Sequence, residues 1–107
     1  MTTIKLDIHS SGRTIAVALG DRLELQLEEN PTTGFRWNVE ENKSGILVLE
    51  CDVFTRTHDG VIGAGGMREF QFTVAKQGQT TLRASNRRSW ESQKTPHATF
   101  ELTVTAK

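Results

Sequence analysis

Apolar and polar residues alternate with a period of two along most of this chain, the pattern of strands that lay one face on a core and turn the other to water. The first run is Ile4, Leu6 and Ile8, closed by Ser10-Ser11-Gly12, and the second is Ile15, Val17 and Leu19, closed by Gly20-Asp21. Both closures are turn chemistry. Leu23, Leu25 and Leu27 then share one face while Glu24, Gln26 and Glu28 share the other. Leucine and glutamate favour helix, but strict alternation decides against propensity. Phe35, Trp37 and Val39 mark a short strand, and Leu47, Leu49, Cys51 and Val53 are expected to share the face of a longer one. Phe70, Phe72 and Val74, then Leu82 and Ala84, then Phe100, Leu102 and Val104 complete the series. This makes about eight strands and no convincing helix, at the turn spacing of an all-β sandwich or barrel.

A length of 107 residues allows one core and one domain. Thirteen basic residues balance thirteen acidic ones, so no global field exists to hold a nucleic acid or an anionic membrane surface. No apolar run approaches the roughly 20 residues of a membrane helix. The first 20 residues show no signal peptide, which leaves a cytoplasmic protein or a mature or trimmed form of an exported one. A single cysteine, Cys51, excludes an internal disulfide and a multi-cysteine metal cage. Nothing in the sequence demands more than a monomer.

If successive strands reverse direction, the connections after the third, fifth and seventh strands emerge at one end of the domain. These are residues 29–34, 57–66 and 87–97, and they hold the chain's unusual chemistry. In Asn30-Pro31-Thr32-Thr33-Gly34 the proline fixes its own φ and restricts Asn30, while Gly34 can take a positive φ. The loop is therefore stiff, and reads either as a well-made β connection or as a contact tip carrying two small hydroxyls. Trp37 belongs to the core, in line with Phe35 and Val39. Val61-Ile62-Gly63-Ala64-Gly65-Gly66 offers a bare backbone that can lie against another surface. A phosphate cradle would need a helix start after the glycines, whereas Met67-Arg68-Glu69-Phe70 begins a strand. Arg87-Arg88-Ser89-Trp90-Glu91 places a tryptophan outside the alternation. It is either an exposed anchor of a binding surface or a ring folded back over the sandwich end with arginine stacked on it.

Conventional active-site chemistry is not visible. Cys51 sits on an apolar strand face by its neighbours, the setting of a buried structural thiol rather than a nucleophile. His9, His58 and His97 lack metal-ligand spacing, and no carboxylate pair is placed by a motif. No metal, cofactor or enzymatic activity is expected. Two adjacent arginines in a neutral chain are too few for nucleic-acid binding. The readings that remain are a protein-binding module, with a sugar-stacking adhesion module as its rival.

Together the three loops resemble the chagasin family of inhibitors of papain-like cysteine proteases. That family has NPTTG followed by an aromatic residue and a tryptophan, then GxGG, then Arg-Pro-Trp. This chain has Asn30 to Gly34 with Phe35 and Trp37, then Gly63-Ala64-Gly65-Gly66, then Arg88-Ser89-Trp90, in the same order and spacing over nearly the whole sequence. Ser89 stands where the family usually has proline, which leaves the third loop less constrained. The resemblance implies an immunoglobulin-like β-sandwich of about seven or eight strands, one inhibitory domain over residues 1–107, and a partner of the papain or cathepsin type. It further implies reversible, non-covalent blocking of the protease cleft. Thr32 would lie nearest the protease's catalytic pair, with Asn30, Pro31, Thr33 and Gly34 around it; Ile62 and Gly63 to Gly66 would run along the non-primed side, and Arg88 and Trp90 would pack on the opposite side.

Overall fold

The structure, a computed structural model, describes residues 2–29, 34–40, 44–56, 65–88 and 98–107. Its strands are β1 (Thr3–Leu6), β2 (Thr14–Val17), β3 (Arg22–Glu29), β4 (Phe35–Val39), β5 (Leu47–Arg56), β6 (Gly66–Val74), β7 (Gly78–Arg88) and β8 (Ala98–Ala106). They form two four-stranded sheets, ordered β1-β3-β6-β5 and β2-β8-β7-β4. The expected alternation is thus realised as an immunoglobulin-like sandwich. Strand direction also alternates along the chain. β3 pairs antiparallel with β6, β6 with β5, β4 with β7 and β7 with β8, while β1–β3 and β2–β8 are parallel. The two parallel ladders are what alternation requires when strands of the same direction become neighbours.

The core lies between the sheets. Leu23, Leu25, Leu27, Phe70, Phe72 and Val74 from one sheet face Trp37, Leu82, Ala84, Phe100, Leu102 and Val104 from the other, all of them buried. These are the residues that the period-two reading placed inward. Burying a side chain of this size contributes roughly 1.5–3 kcal/mol, and the core packs with Cys51, the single cysteine, left as a free thiol.

Three expectations are corrected. Ile8 does not continue the first strand: Ile8–Ser10 form a short 3-10 helix, because the Asp7 side chain accepts from the His9 N–H (2.9 Å) and the Ser10 hydroxyl from the Asp7 N–H (3.3 Å). Leu19 lies beyond the end of β2 and is exposed. In β5 the register shifts between Leu49 and Cys51, a bulge that turns the following side chains to the opposite face. Leu47 and Leu49 stand opposite the inward Val74 and Phe72, whereas Cys51 and Val53 stand opposite Gln71 and Glu69 on the outer surface. Cys51 is therefore a half-buried free thiol on the outside of an edge strand, not a core residue.

The end of the sandwich away from the motif loops is closed by Asp21. Its carboxylate accepts the main-chain N–H of Ala18 (2.9 Å) and of Thr2 (3.0 Å). The bond from Ala18 first, then that from Thr2, hold its pKa below the ordinary aspartate value of 3.8, outweighing the opposing effect of burial. A folded-state pKa lowered in this way stabilises the fold above 3.8, and the contribution is lost as pH falls through the lowered value. Asp21→Ala should accordingly lower Tm near neutral pH, and the gap from the parent should narrow as the pH drops below 3.8. A gap in thermal unfolding that is constant with pH would refute this role.

Candidate functional site

The strand register places the stems of the three motif loops at one end. Glu29 at the end of β3, Gly66 at the start of β6 and Arg56 at the end of β5 lie in one row across the first sheet. Phe35 at the start of β4 stands beside Arg88 at the end of β7 in the second sheet, and Ala98 at the start of β8 stands beside Asn86. Both long loops are shorter than the sequence reading made them. β6 already begins at Gly66, and β7 runs on through Arg87 and Arg88. Alternating polar residues after Ala84 carry the strand on, a signal that an apolar count misses.

Of the expected contact residues, Gly34, Gly65, Gly66 and Arg88 fall within the described chain. Asn30, Pro31, Thr32, Thr33, Ile62, Gly63, Ala64 and Trp90 lie outside the described residues. Gly34 has φ 79°, a left-handed conformation that side chains other than glycine strain to adopt. It delivers the chain from the first loop into β4. Gly66 is buried, flanked by Glu29 and Arg56 in the neighbouring strands. It anchors the second loop rather than forming part of its tip.

Beneath these stems lies a polar cluster that the sequence reading did not single out. Glu29 faces the core, its side chain only 2% exposed, and meets Arg68, 12% exposed. The Arg68 Nη2 donates to Glu29 Oε2 at 2.7 Å and its Nε to both Glu29 oxygens at 3.2 and 3.3 Å, while Nη1 donates to Asp52 Oδ1 at 3.0 Å. The guanidinium also stands over the Phe54 ring, 5.5 Å from its centroid, within cation–π range. Burial acts against the Arg68 charge, but the hydrogen bonds and charges of Glu29 and Asp52 outweigh it and raise the pKa above the usual arginine value. The remaining capacity of Glu29 goes to the other sheet, where its Oε1 accepts the main-chain N–H of Trp37 at 2.7 Å. That donor belongs to edge strand β4 and points away from its ladder with β7.

Trp37 completes the tie. Its ring is in the core and its Nε1–H donates at 2.8 Å to the carbonyl of Glu28, the penultimate residue of β3 before the first loop. On the rim, Arg36 reaches Asp52 at 3.5 Å, an exposed pair of small energetic weight. Beside this cluster a cleft of about 490 Å³ is lined in part by Leu27, Trp37, Met67 and Asn86. Asn86 is buried at this cleft, and its Oδ1 has no hydrogen-bond partner among the described residues.

The signal for Glu29 and Arg68 was present as parity. Glu29 continues the inward series Leu23, Leu25, Leu27 by one step, and Arg68 precedes the inward series Phe70, Phe72, Val74 by one step. Opposite charges at adjacent ends of two inward series in paired strands call for a buried ion pair.

A sandwich that gathers the stems of three connections at one end, with β3, β4, β5 and β6 tied together there by Glu29, Arg68, Asp52 and Trp37, is a loop-presenting protein-binding domain. Residues 16–104 match the chagasin family of peptidase inhibitors, I42, and the chain belongs to that family. It is similar to amoebiasin-2 of Entamoeba histolytica, 29% identical over 92 residues that cover 85% of this chain and 75% of the relative. Chagasin of Trypanosoma cruzi is 32% identical over 84 residues, covering 75% of this chain and 76% of its own. The crystal structure of the cysteine protease inhibitor EhICP2 from Entamoeba histolytica superposes with a TM-score of 0.87 at 26% identity, over 100% of this chain and 97% of that one. The family comprises inhibitors of cysteine proteases and not enzymes. Membership decides against both the thiol-enzyme reading of Cys51 and the non-inhibitory adhesion module.

Trp37→Phe keeps most of the ring but removes the donor to the Glu28 carbonyl. The urea midpoint should fall by the equivalent of about 1–3 kcal/mol at an unchanged m value, and an unaltered midpoint would mean that the indole bond contributes nothing.

Proposed function

We propose that this protein, acting as one unit over residues 1–107, inhibits papain-like cysteine proteases by seating its three loops in the active-site cleft. One observation carries the reading: Glu29, Gly66 and Arg56 in one sheet and Phe35 and Arg88 in the other bring the stems of all three motif segments to the same end of a rigid sandwich. Thr32 meets the protease's catalytic cysteine and histidine, with Asn30, Pro31, Thr33 and Gly34 shaping that turn. Ile62, Gly63, Ala64 and Gly65 lie along the non-primed side, and Gly66 closes the base of their loop. Trp90 and Arg88 cover the opposite side.

Inhibition in this arrangement is reversible and non-covalent. Proline before the two threonines and Gly34 after them limit the conformations of the first turn, so less freedom is lost on docking and more of the contact energy appears as affinity. Cleavage requires an extended peptide with its carbonyl at the attacking sulfur, a requirement that a proline- and glycine-restricted segment meets poorly. Protease–inhibitor interfaces bury about 1,600 Å² in total, an area within reach of three loops on one end of a domain of this size. Trp90 supplies the large aromatic anchor that such interfaces concentrate their energy on.

Titration of papain with the folded protein should give stoichiometric loss of activity that returns on dilution. No inhibition at micromolar concentration would overturn the proposal. Trp90→Ala should weaken inhibition by roughly 1–4 kcal/mol, and an unchanged inhibition constant would assign Trp90 a structural role instead.

A further inference from the structure

We infer that Glu29 and Arg68 are positioning residues for inhibition: without touching the protease, they fix the first and second loops relative to each other. The inference rests on the inhibitory reading given above. Glu29 is the last residue of β3, and the first loop leaves from it. Arg68 is the third residue of β6, at the return from the second loop. They stand on adjacent strands, one step out of register, with Glu29 opposite Gly66 and Arg68 opposite Leu27. A single guanidinium binds the carboxylates of Glu29 and Asp52, and so spans three strands, β3, β6 and β5, at the point where two of the three loops begin or end. The same Glu29 carboxylate holds the Trp37 N–H, three residues after Gly34, so both stems of the first loop share one acceptor.

Direction distinguishes this arrangement from an apolar plug of equal volume. A hydrophobic cluster fills space but tolerates small slides and rotations, whereas a forked guanidinium between two carboxylates fixes distance and angle together. The pair is also nearly dry, so water does not screen it as it screens the exposed Arg83–Glu101 pair, 3.4 Å apart with both side chains more than half exposed. Loops that must enter one cleft simultaneously gain affinity when their mutual placement is settled before docking. Losing that constraint therefore weakens inhibition even in a protein that remains folded.

The test compares Arg68→Met, the double substitution Glu29→Gln/Arg68→Met, and Arg83→Gln as a control on the outer face. Each is assayed for papain inhibition and for Tm, well below the unfolding transition. Arg68→Met leaves a buried carboxylate without its counter-charge, so its Tm falls; the double substitution removes that uncompensated charge and recovers Tm. Inhibition should weaken by about tenfold or more in both, while Arg83→Gln stays at the parent value. Amide exchange at residues 34–37 and 65–67 should quicken in Arg68→Met and in the double substitution, with or without protease. Inhibition that recovers together with Tm in the double substitution would reduce the pair to a contributor to global stability and overturn the inference. So would an inhibition constant for folded Arg68→Met equal to that of the parent. A parent protein that fails to inhibit papain condemns the inhibitory reading instead, and the exchange measurement then still decides whether the pair holds the stems.

Discussion

Glu29 is the constraint on which the motif end of the molecule depends. A carboxylate with only 2% of its side chain exposed is tolerated in a core position only when its charge is matched and its lone pairs are filled. Here the requirement is met by groups from three separate strands: the Arg68 guanidinium of β6, itself bound to Asp52 of β5, and the Trp37 N–H of β4. Because burial makes each of these contacts obligatory, the strands cannot shift independently. The polar cluster converts two sheets, which hydrophobic packing would hold at a fixed spacing but with some freedom to slide, into a platform with a defined loop end.

The remainder of the sandwich follows from a simpler rule. Strand direction alternates through the chain, so every odd-numbered strand points toward the motif end, and neighbours such as β1 and β3 become parallel when chain order brings like directions together. Core filling is shared by apolar side chains of both sheets, with Leu23, Leu102 and Val104 fully buried. The 3-10 helix after β1 and the Asp21 turn before β3 close short connections with local hydrogen bonds. The Asp21 turn lies at the end away from the motif loops, whereas the 3-10 helix brings Asp7, Ile8 and His9 to the cleft that Trp37, Met67 and Asn86 also line, beside the stems of the motif connections.

Most of the fold was legible because it rests on period-two patterning, and inward runs such as Phe70, Phe72 and Val74 are read directly from residue type. Legibility failed where the backbone broke its own period. The β5 bulge exchanged the faces of Cys51 and Val53, and nothing in the run Leu47-Val48-Leu49-Glu50-Cys51 announces an inserted residue, since a bulge depends on the partner strand. Ile8 was misplaced for a different reason: the reciprocal bonds of Asp7 and Ser10 turned the chain against its apolar pattern. At the candidate site, Gly34 and Trp37 were legible from turn chemistry and alternation. Glu29 and Arg68 were not, because their polarity disguised positions that parity assigns to the interior, and only the pairing of β3 with β6 shows that they meet.

The location of this cluster follows from what a wedge of loops requires. Side chains at a contact tip must keep their hydrogen-bonding groups available to the partner, so they cannot also spend them on fixing one another. Rigidity has to be supplied from below, at the stems, and in a directional form, since three separate connections must enter one cleft together. Apolar packing at the stems would provide cohesion without orientation. A buried ion pair provides orientation at the expense of desolvation, a poor exchange for stability alone but a suitable one where the mutual placement of Gly34, Gly66 and the strands that carry them determines whether the loops can enter a cleft together.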